Sequence, residues 1–266
     1  MLLKMKKKML EVFDELEKKK RLLKINGRLW SEWPRHEIYD KCSGVIPSKV
    51  YTIWAFSNVW KSKFAYAHTA YFLKQGKKVL FVNLEVVADE CLRWIIQAYD
   101  WLDFKEYMNW SLTDEKLQQY DNLDIVDDLY KLDDIVKCIE ESDADIVFID
   151  FVQNIDAWGW NLYEQSAKIA KTIQQTAIKT KKTIYSLSQL SNSTAKEVQN
   201  WMNDLTMLKW WWEYYASSDV IFILSKEDDW MKVKIEKNKF WPKWSNIILC
   251  SDLSRNTFTF VKYEDE

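Results

Sequence analysis

In four places an apolar run leads directly into a side chain capable of chemistry: Lys61-Ser62, Glu85, Asp150 and Gln189. The first is the most informative. Val50 to Phe56 is apolar, a short turn follows through Ser57, Asn58, Val59 and Trp60, and Lys61-Ser62 opens an amphipathic segment. The local order is therefore strand, loop, helix. A loop that wraps phosphates needs main-chain N–H groups turned inward, a lysine for the terminal phosphates, a hydroxyl for Mg²⁺ and a helix N-terminus behind it. Lys61, Ser62 and the helix that starts there supply them. Hydrolysis needs in addition a carboxylate for the Mg²⁺ shell and a group that orients or deprotonates water. Asp150 and Glu85 fit those roles, and Gln189 is placed to sense a γ-phosphate. Taken singly, each has an ordinary reading as a solvated residue or a helix cap; together they describe a nucleotide site.

One residue disagrees. The position before the lysine must let the backbone approach phosphate closely, often at positive φ, and is normally glycine; here it is Trp60. The chain has 4 Gly and 16 Trp. Average usage of about 7% would give a chain of this length on the order of 19 glycines, so the excess tryptophan roughly matches the missing glycine. Placement agrees: Trp230 follows Asp228-Asp229 where a hairpin turn is expected, Trp241 and Trp244 flank Pro242 in another turn, and Trp210-Trp211-Trp212 stand in a loop. Turns favour glycine. The expectation is that many of these tryptophans occupy glycine positions, as when a codon such as UGA is read under the wrong genetic code. The alternative is a genuine tryptophan-rich binding surface.

The elements that position these residues alternate. A helix is expected from Lys61 to Gln75, a buried strand from Lys78 to Leu84, helices within Ala88 to Lys116, a helix from Leu132 to Ser142, and an apolar strand from Asp145 to Asp150. A helix from Leu162 to Lys179 and a strand from Thr183 to Ser188 follow. Strands at Asp219–Leu224, Met231–Glu236, Asn246–Cys250 and Thr257–Val261 close the chain as a meander. Such an order implies an α/β fold with a mainly parallel central sheet, flanking helices and an antiparallel edge at the C-terminal end. Ligands bind such sheets at the carboxyl ends of the strands, where Lys61, Glu85, Asp150 and Gln189 fall.

The 266 residues, 48% hydrophobic and 29% charged, are enough for one sizeable core with a small appendage. Residues 1–43 are expected to form a charged helix and connector, with ten basic and four acidic residues in Met1–Arg28, and residues 44–266 the main domain. A net charge of −2 does not suggest a general nucleic-acid binder, so any such site must be local. Cys42, Cys91, Cys138 and Cys250 lack metal-ligand spacing and suit reduced thiols. No apolar run is long enough to span a membrane and no secretory signal is evident, so a cytoplasmic location is expected.

Several segments resemble the RecA-like ATPase domain of DnaB-type replicative helicases. They are Ala55-Phe-Ser-Asn-Val-Trp-Lys-Ser62 as a phosphate loop (Walker A), Leu84-Glu85, Phe148-Ile-Asp-Phe-Val-Gln153, Ser186-Leu-Ser-Gln-Leu190, Asp219-Val-Ile-Phe-Ile-Leu224 and Lys237 to Trp244. The resemblance covers about Gly44 to Val261. It implies a RecA-like P-loop NTPase that uses ATP and Mg²⁺. ATP would be held by Ala55, Ser57, Asn58, Val59, Trp60, Lys61, Ser62 and Lys63, and the metal by Ser62 and Asp150, with Glu85, Lys61 and Gln189 catalytic. It further implies a homo-hexamer with sites between subunits, in which Lys239 takes the place of the family's finger arginine and Lys237 that of a nearby lysine. Single-stranded DNA would meet loops carrying Lys196, Lys209, Asn192 and Asn200. Met1–Trp33 would serve as linker, in place of the family's separate N-terminal helical domain. Similar features occur in RadA- and KaiC-like recombination or regulatory ATPases, and a genuine Trp60 would fit a catalytically dead binding subunit.

Overall fold

The computed structural model describes residues 44–111, 113–159, 161–190, 212–227, 230–240 and 246–264. The expected DNA-contacting residues Asn192, Lys196, Asn200 and Lys209, the charged helix within 1–43, and Trp210, Trp211, Trp241 and Trp244 lie outside the described residues. Residues Pro47–Glu266 form one contact unit.

Apolar, β-branched and aromatic runs make the central strands. β1 (Val50–Phe56), β2 (Val79–Asn83), β4 (Ile146–Asp150) and β5 (Thr183–Leu190) are buried almost throughout, as strands covered on both faces must be. The sheet has nine strands in the order β3-β2-β4-β5-β1-β6-β7-β8-β9. From β3 (Leu123–Val126) to β6 (Val220–Glu227) all pairings are parallel. β7 (Trp230–Asn238), β8 (Asn246–Asp252) and β9 (Thr257–Glu264) add the antiparallel edge. This is the expected fold class, and the helices follow the expected order: α1 (Lys61–Lys74), α2 (Ala88–Asp100), the short α3 (Phe104–Met108) and α4 (Asp114–Gln118), α5 (Leu132–Glu141) and α6 (Leu162–Thr180).

The register of the strands explains the core. Phe81 pairs with Phe148, Phe148 with Tyr185, and Tyr185 with Tyr51, so four aromatic side chains stand in one row across four parallel strands. Their rings stack at centroid distances of 5.5, 4.7 and 5.1 Å. Phe72 of α1 packs on Phe148 and Tyr185, which fixes α1 to this face. The residues between them point the other way: Leu80, Val82, Val147, Ile149 and Ile184 pack with Leu132, Ile135 and Ile139 of α5 and with Ile169, Ile173 and Ala177 of α6. The alternation of side chains along each strand thus builds two apolar layers around one sheet.

Backbone geometry sorts the tryptophans. Trp60 (φ 54°) and Trp101 (φ 59°) are in the left-handed region, as are Gly44 and Gly76. Trp101 caps the C-terminus of α2, its N–H bonding the Gln97 carbonyl, which is a common place for glycine. Trp230 departs from expectation: it is the first residue of β7, paired with Glu227, and has no positive φ. Its hairpin gives no conformational reason for glycine at that position. Trp54 is buried inside β1 and Trp94 lies inside α2.

Candidate functional site

The strand order places β2, β4, β5 and β1 side by side, so their carboxyl ends form one continuous edge. Asn83 is in register with Asp150, and Ala55 with Gln189. Glu85, Asp150, Gln189 and the loop after β1 are therefore neighbours because their strands are.

After Phe56 the chain turns through residues 57–60, with Asn58 (φ 65°) and Trp60 (φ 54°) both left-handed. Alternation of left- and right-handed residues turns successive N–H groups to one side and makes an anion-binding concavity. Trp60 is the N-cap of α1 and provides no side-chain cap. The first turn of α1 contains no acidic residue and carries Lys61 and Lys63 instead. Two cations at the positive end of a helix dipole are the reverse of what helix stability favours, and an anion bound there resolves the conflict.

Lys61 is 7% exposed and Asp150 wholly buried, and the two form an ion pair. Lys61 Nζ also lies over the Phe151 ring at 5.0 Å. Asp150 Oδ2 is buried with no hydrogen-bond partner among the described residues. A buried carboxylate oxygen left unpaired is costly, and a magnesium ion or its bound water would satisfy it. Ser62 Oγ lies 3.5 Å from Glu85 Oε2. Burial, and then the nearby Asp150 charge, raise the Glu85 carboxyl above the usual carboxylate range, against the opposing effects of Lys61 and Ser62. A carboxyl raised in this way is a better proton acceptor than an ordinary glutamate. The backbone N–H groups of Glu85 and Val86 donate to Asn83 Oδ1 at 3.3 and 3.4 Å, which shapes the turn carrying the carboxylate. Gln189 Nε2 donates to Ser57 Oγ at 2.9 Å, linking the end of β5 to the phosphate loop. Burial, and then Arg93, lower the Lys63 ammonium, which lies over the Trp94 ring at 4.0 Å.

Lys61, Ser62, Glu85, Asp150 and Gln189 are thus brought together, with Ala55, Ser57, Asn58, Val59, Trp60 and Lys63 on the same strand-loop-helix unit. Lys237 and Lys239 are not. Lys239 Nζ bonds Asp219 Oδ1 at 3.1 Å, and Lys237 Nζ bonds the Tyr215 carbonyl. Asp219 directly precedes β6, and Val220 at the start of that strand pairs with Asn238, so both lysines sit at the end of the sheet opposite the phosphate loop. Sequence reasoning gave no role to Gln153, Asn154, Ser188 or Asn83, which hold the site's strand ends. Their only signal was being polar residues in or next to a loop, which most often are simply solvated.

No protein-family model matches the chain, and no curated protein matches its sequence. Its structure is similar to that of an ATPase domain solved by itself (TM-score 0.77, 17% identity, 97% of this chain and 98% of that one). It is also similar to a DnaB-like replicative helicase whose structure addresses its interactions with primase (TM-score 0.73, 17% identity, 96% of this chain and 66% of that one). A third likeness is to the RadB recombinase (TM-score 0.59, 16% identity, 85% and 96%). The resemblance carried by the sequence motifs therefore extends to nearly the whole chain, and its fold is that of a RecA-like ATPase domain similar to those of DnaB-type helicases.

Proposed function

We propose that the chain is the motor of a DnaB-like helicase, coupling ATP hydrolysis to movement on single-stranded DNA as a homo-hexamer. The observation that carries the ATPase part is the wholly buried Asp150, paired with Lys61 on one oxygen and unpartnered on the other among the described residues, within reach of Ser62 and Glu85. Mg²⁺–ATP, when bound, supplies the phosphoanhydride and the metal charge that steadies its oxygens. Ser62 and Asp150 would hold the metal. Lys61, released from Asp150, would hold the terminal phosphates together with the N–H groups of residues 57–63. Glu85 would take the proton of the attacking water, and Gln189 would report the γ-phosphate to the loop that follows β5.

The trans role of Lys239 fits its position. It lies at the sheet end opposite the phosphate loop of its own chain, so it serves a site only across a head-to-tail contact, the kind that closes into rings. Lysine lacks the bidentate fork of arginine, and a slower turnover follows. DNA contact by Asn192, Lys196, Asn200 and Lys209 is part of the same proposal. No helix among the described residues is long and apolar enough to cross a membrane.

The test is DNA-stimulated ATP hydrolysis and strand displacement by the full chain carrying Trp60→Gly. Hydrolysis stimulated by DNA without strand displacement would sink the helicase reading and favour a RadA- or KaiC-like ATPase, a reading that the likeness to RadB supports. A chain that binds no nucleotide even with glycine at position 60 would leave the binding-subunit reading.

A further inference from the structure

Backbone pairing between β4 and β5 ends at Ile149 and Ser186, whereas β5 continues to Leu190, paired there with β1 alone. On the β4 side the Gln189 peptide is thus without a strand partner. A side chain takes that place. Gln153 Nε2 donates to the Gln189 carbonyl at 2.9 Å and to Ser188 Oγ at 2.8 Å, while the Gln189 N–H donates to Gln153 Oε1 at 3.3 Å. A primary amide has the donor and acceptor of a peptide group, and here it extends the ladder where the backbone has turned away. The next residue reaches the strand on the other side: Asn154 Nδ2 donates at 2.8 Å to the carbonyl of Leu84, the residue before Glu85. Both belong to one 3-10 turn, Val152–Asn154, anchored by the buried Val152 and Ile155.

We propose that this turn is a yoke in which Gln153 and Asn154 are positioning residues, Gln153 setting Gln189 against Ser57 of the phosphate loop and Asn154 setting Glu85 against Asp150. The inference rests on the roles proposed above for Gln189 and Glu85. Both yoke side chains are exposed, so truncating them leaves no cavity and the fold survives. What is lost is the alignment of two groups, and a displacement of about 1 Å at such groups can cost about a hundredfold in rate.

Two readouts on the full chain test it. The first is hydrogen exchange across 183–190 in Gln153→Ala. Faster exchange at the Gln189 amide is expected, with a melting temperature within about 2 °C of the parent, a shift of about 1 kcal/mol or less. The second, in the Trp60→Gly background, is ATP hydrolysis by Gln153→Ala and Asn154→Ala: kcat falls at least about tenfold while KM changes less than about twofold, the pattern of lost transition-state alignment. Unchanged exchange at Gln189 overturns the proposal, and so does faster exchange with unchanged kcat, because the contact is then only structural. If the Trp60→Gly parent itself hydrolyses no ATP, the proposed function fails, and the exchange of Gln189 alone decides whether Gln153 holds it.

Discussion

Replacing Trp60 with glycine separates what this residue does to the fold from what it does to the site. At φ 54° and ψ 28°, an L-residue is strained by about 1–2 kcal/mol. Glycine removes that strain but loses about 0.4–1 kcal/mol through the greater freedom of the unfolded chain. It also loses the contact of the indole with Lys226, whose Nζ lies 4.4 Å from the ring centroid, worth about 0.5–1 kcal/mol at an exposed site. These terms nearly cancel, so the melting temperature should move by no more than about 2–4 °C. The site should respond far more. A Cβ and indole beside the cradle hold at least one loop N–H away from phosphate, and a hydrogen bond to a charged group is worth about 1.5–3 kcal/mol. Restoring one such bond tightens ATP about 10- to 150-fold. Calorimetric titration of both chains with Mg²⁺ and a slowly hydrolysed ATP analogue measures this, with Trp101→Gly as control: the same backbone conformation at the far end of α2, and no expected change in affinity. If the Trp60 chain binds within about threefold of the Trp60→Gly chain, the phosphate-loop reasoning is wrong.

Further outcomes are expected in the Trp60→Gly background. Lys61→Ala and Asp150→Asn should each abolish turnover; Lys61→Ala should also destabilise the fold by about 3–5 kcal/mol, because Asp150 is left buried without its cation, and adding Asp150→Asn should recover part of that loss in denaturant melts. Glu85→Gln should retain ATP binding and lose hydrolysis; substantial turnover would remove Glu85 as the base. The raised Glu85 carboxyl also sets a pH dependence: the folded chain holds this proton more tightly than the unfolded one, so stability falls as pH rises from about 4 through the raised value. Glu85→Gln removes that fall. It should therefore melt higher than the parent at neutral pH and equal it below about pH 4, and equal midpoints at all pH values would contradict the shift. Peptide sequencing by mass spectrometry of the protein from its native source, across Val50 to Phe64, should find glycine at position 60.

The periodicities of the sequence made the order of strands and helices legible, because a buried parallel strand must be apolar throughout and a covering helix apolar on one side. The short edge strand β3 was not legible: Leu123-Asp-Ile-Val126 is four residues long and only partly buried, so its pattern is too brief to separate from a loop. The site was legible where its residues sit at strand ends, since strand order alone makes them neighbours. Gln153 and Asn154 were not, because their partners are main-chain groups, and a contact with a backbone carbonyl puts no complementary residue type elsewhere in the sequence.

The tryptophans show the same division from the other side. Composition raised the question for many of them, but only a dihedral angle answers it for one residue at a time. Among the described tryptophans, 60 and 101 take up the backbone conformation that glycine enters freely, one beneath the proposed phosphate cradle and one at a helix end. Trp54 fills core volume beside Ile221 and Tyr215, and nothing in its strand conformation asks for glycine. A misread codon would be blind to these differences and would place tryptophan wherever glycine stood, tolerated or not. Selection for a binding surface would spare the phosphate loop and crowd the exposed positions. Tryptophan at position 60, where it is most harmful to the proposed chemistry and gains only a surface contact with Lys226, fits the first origin and not the second.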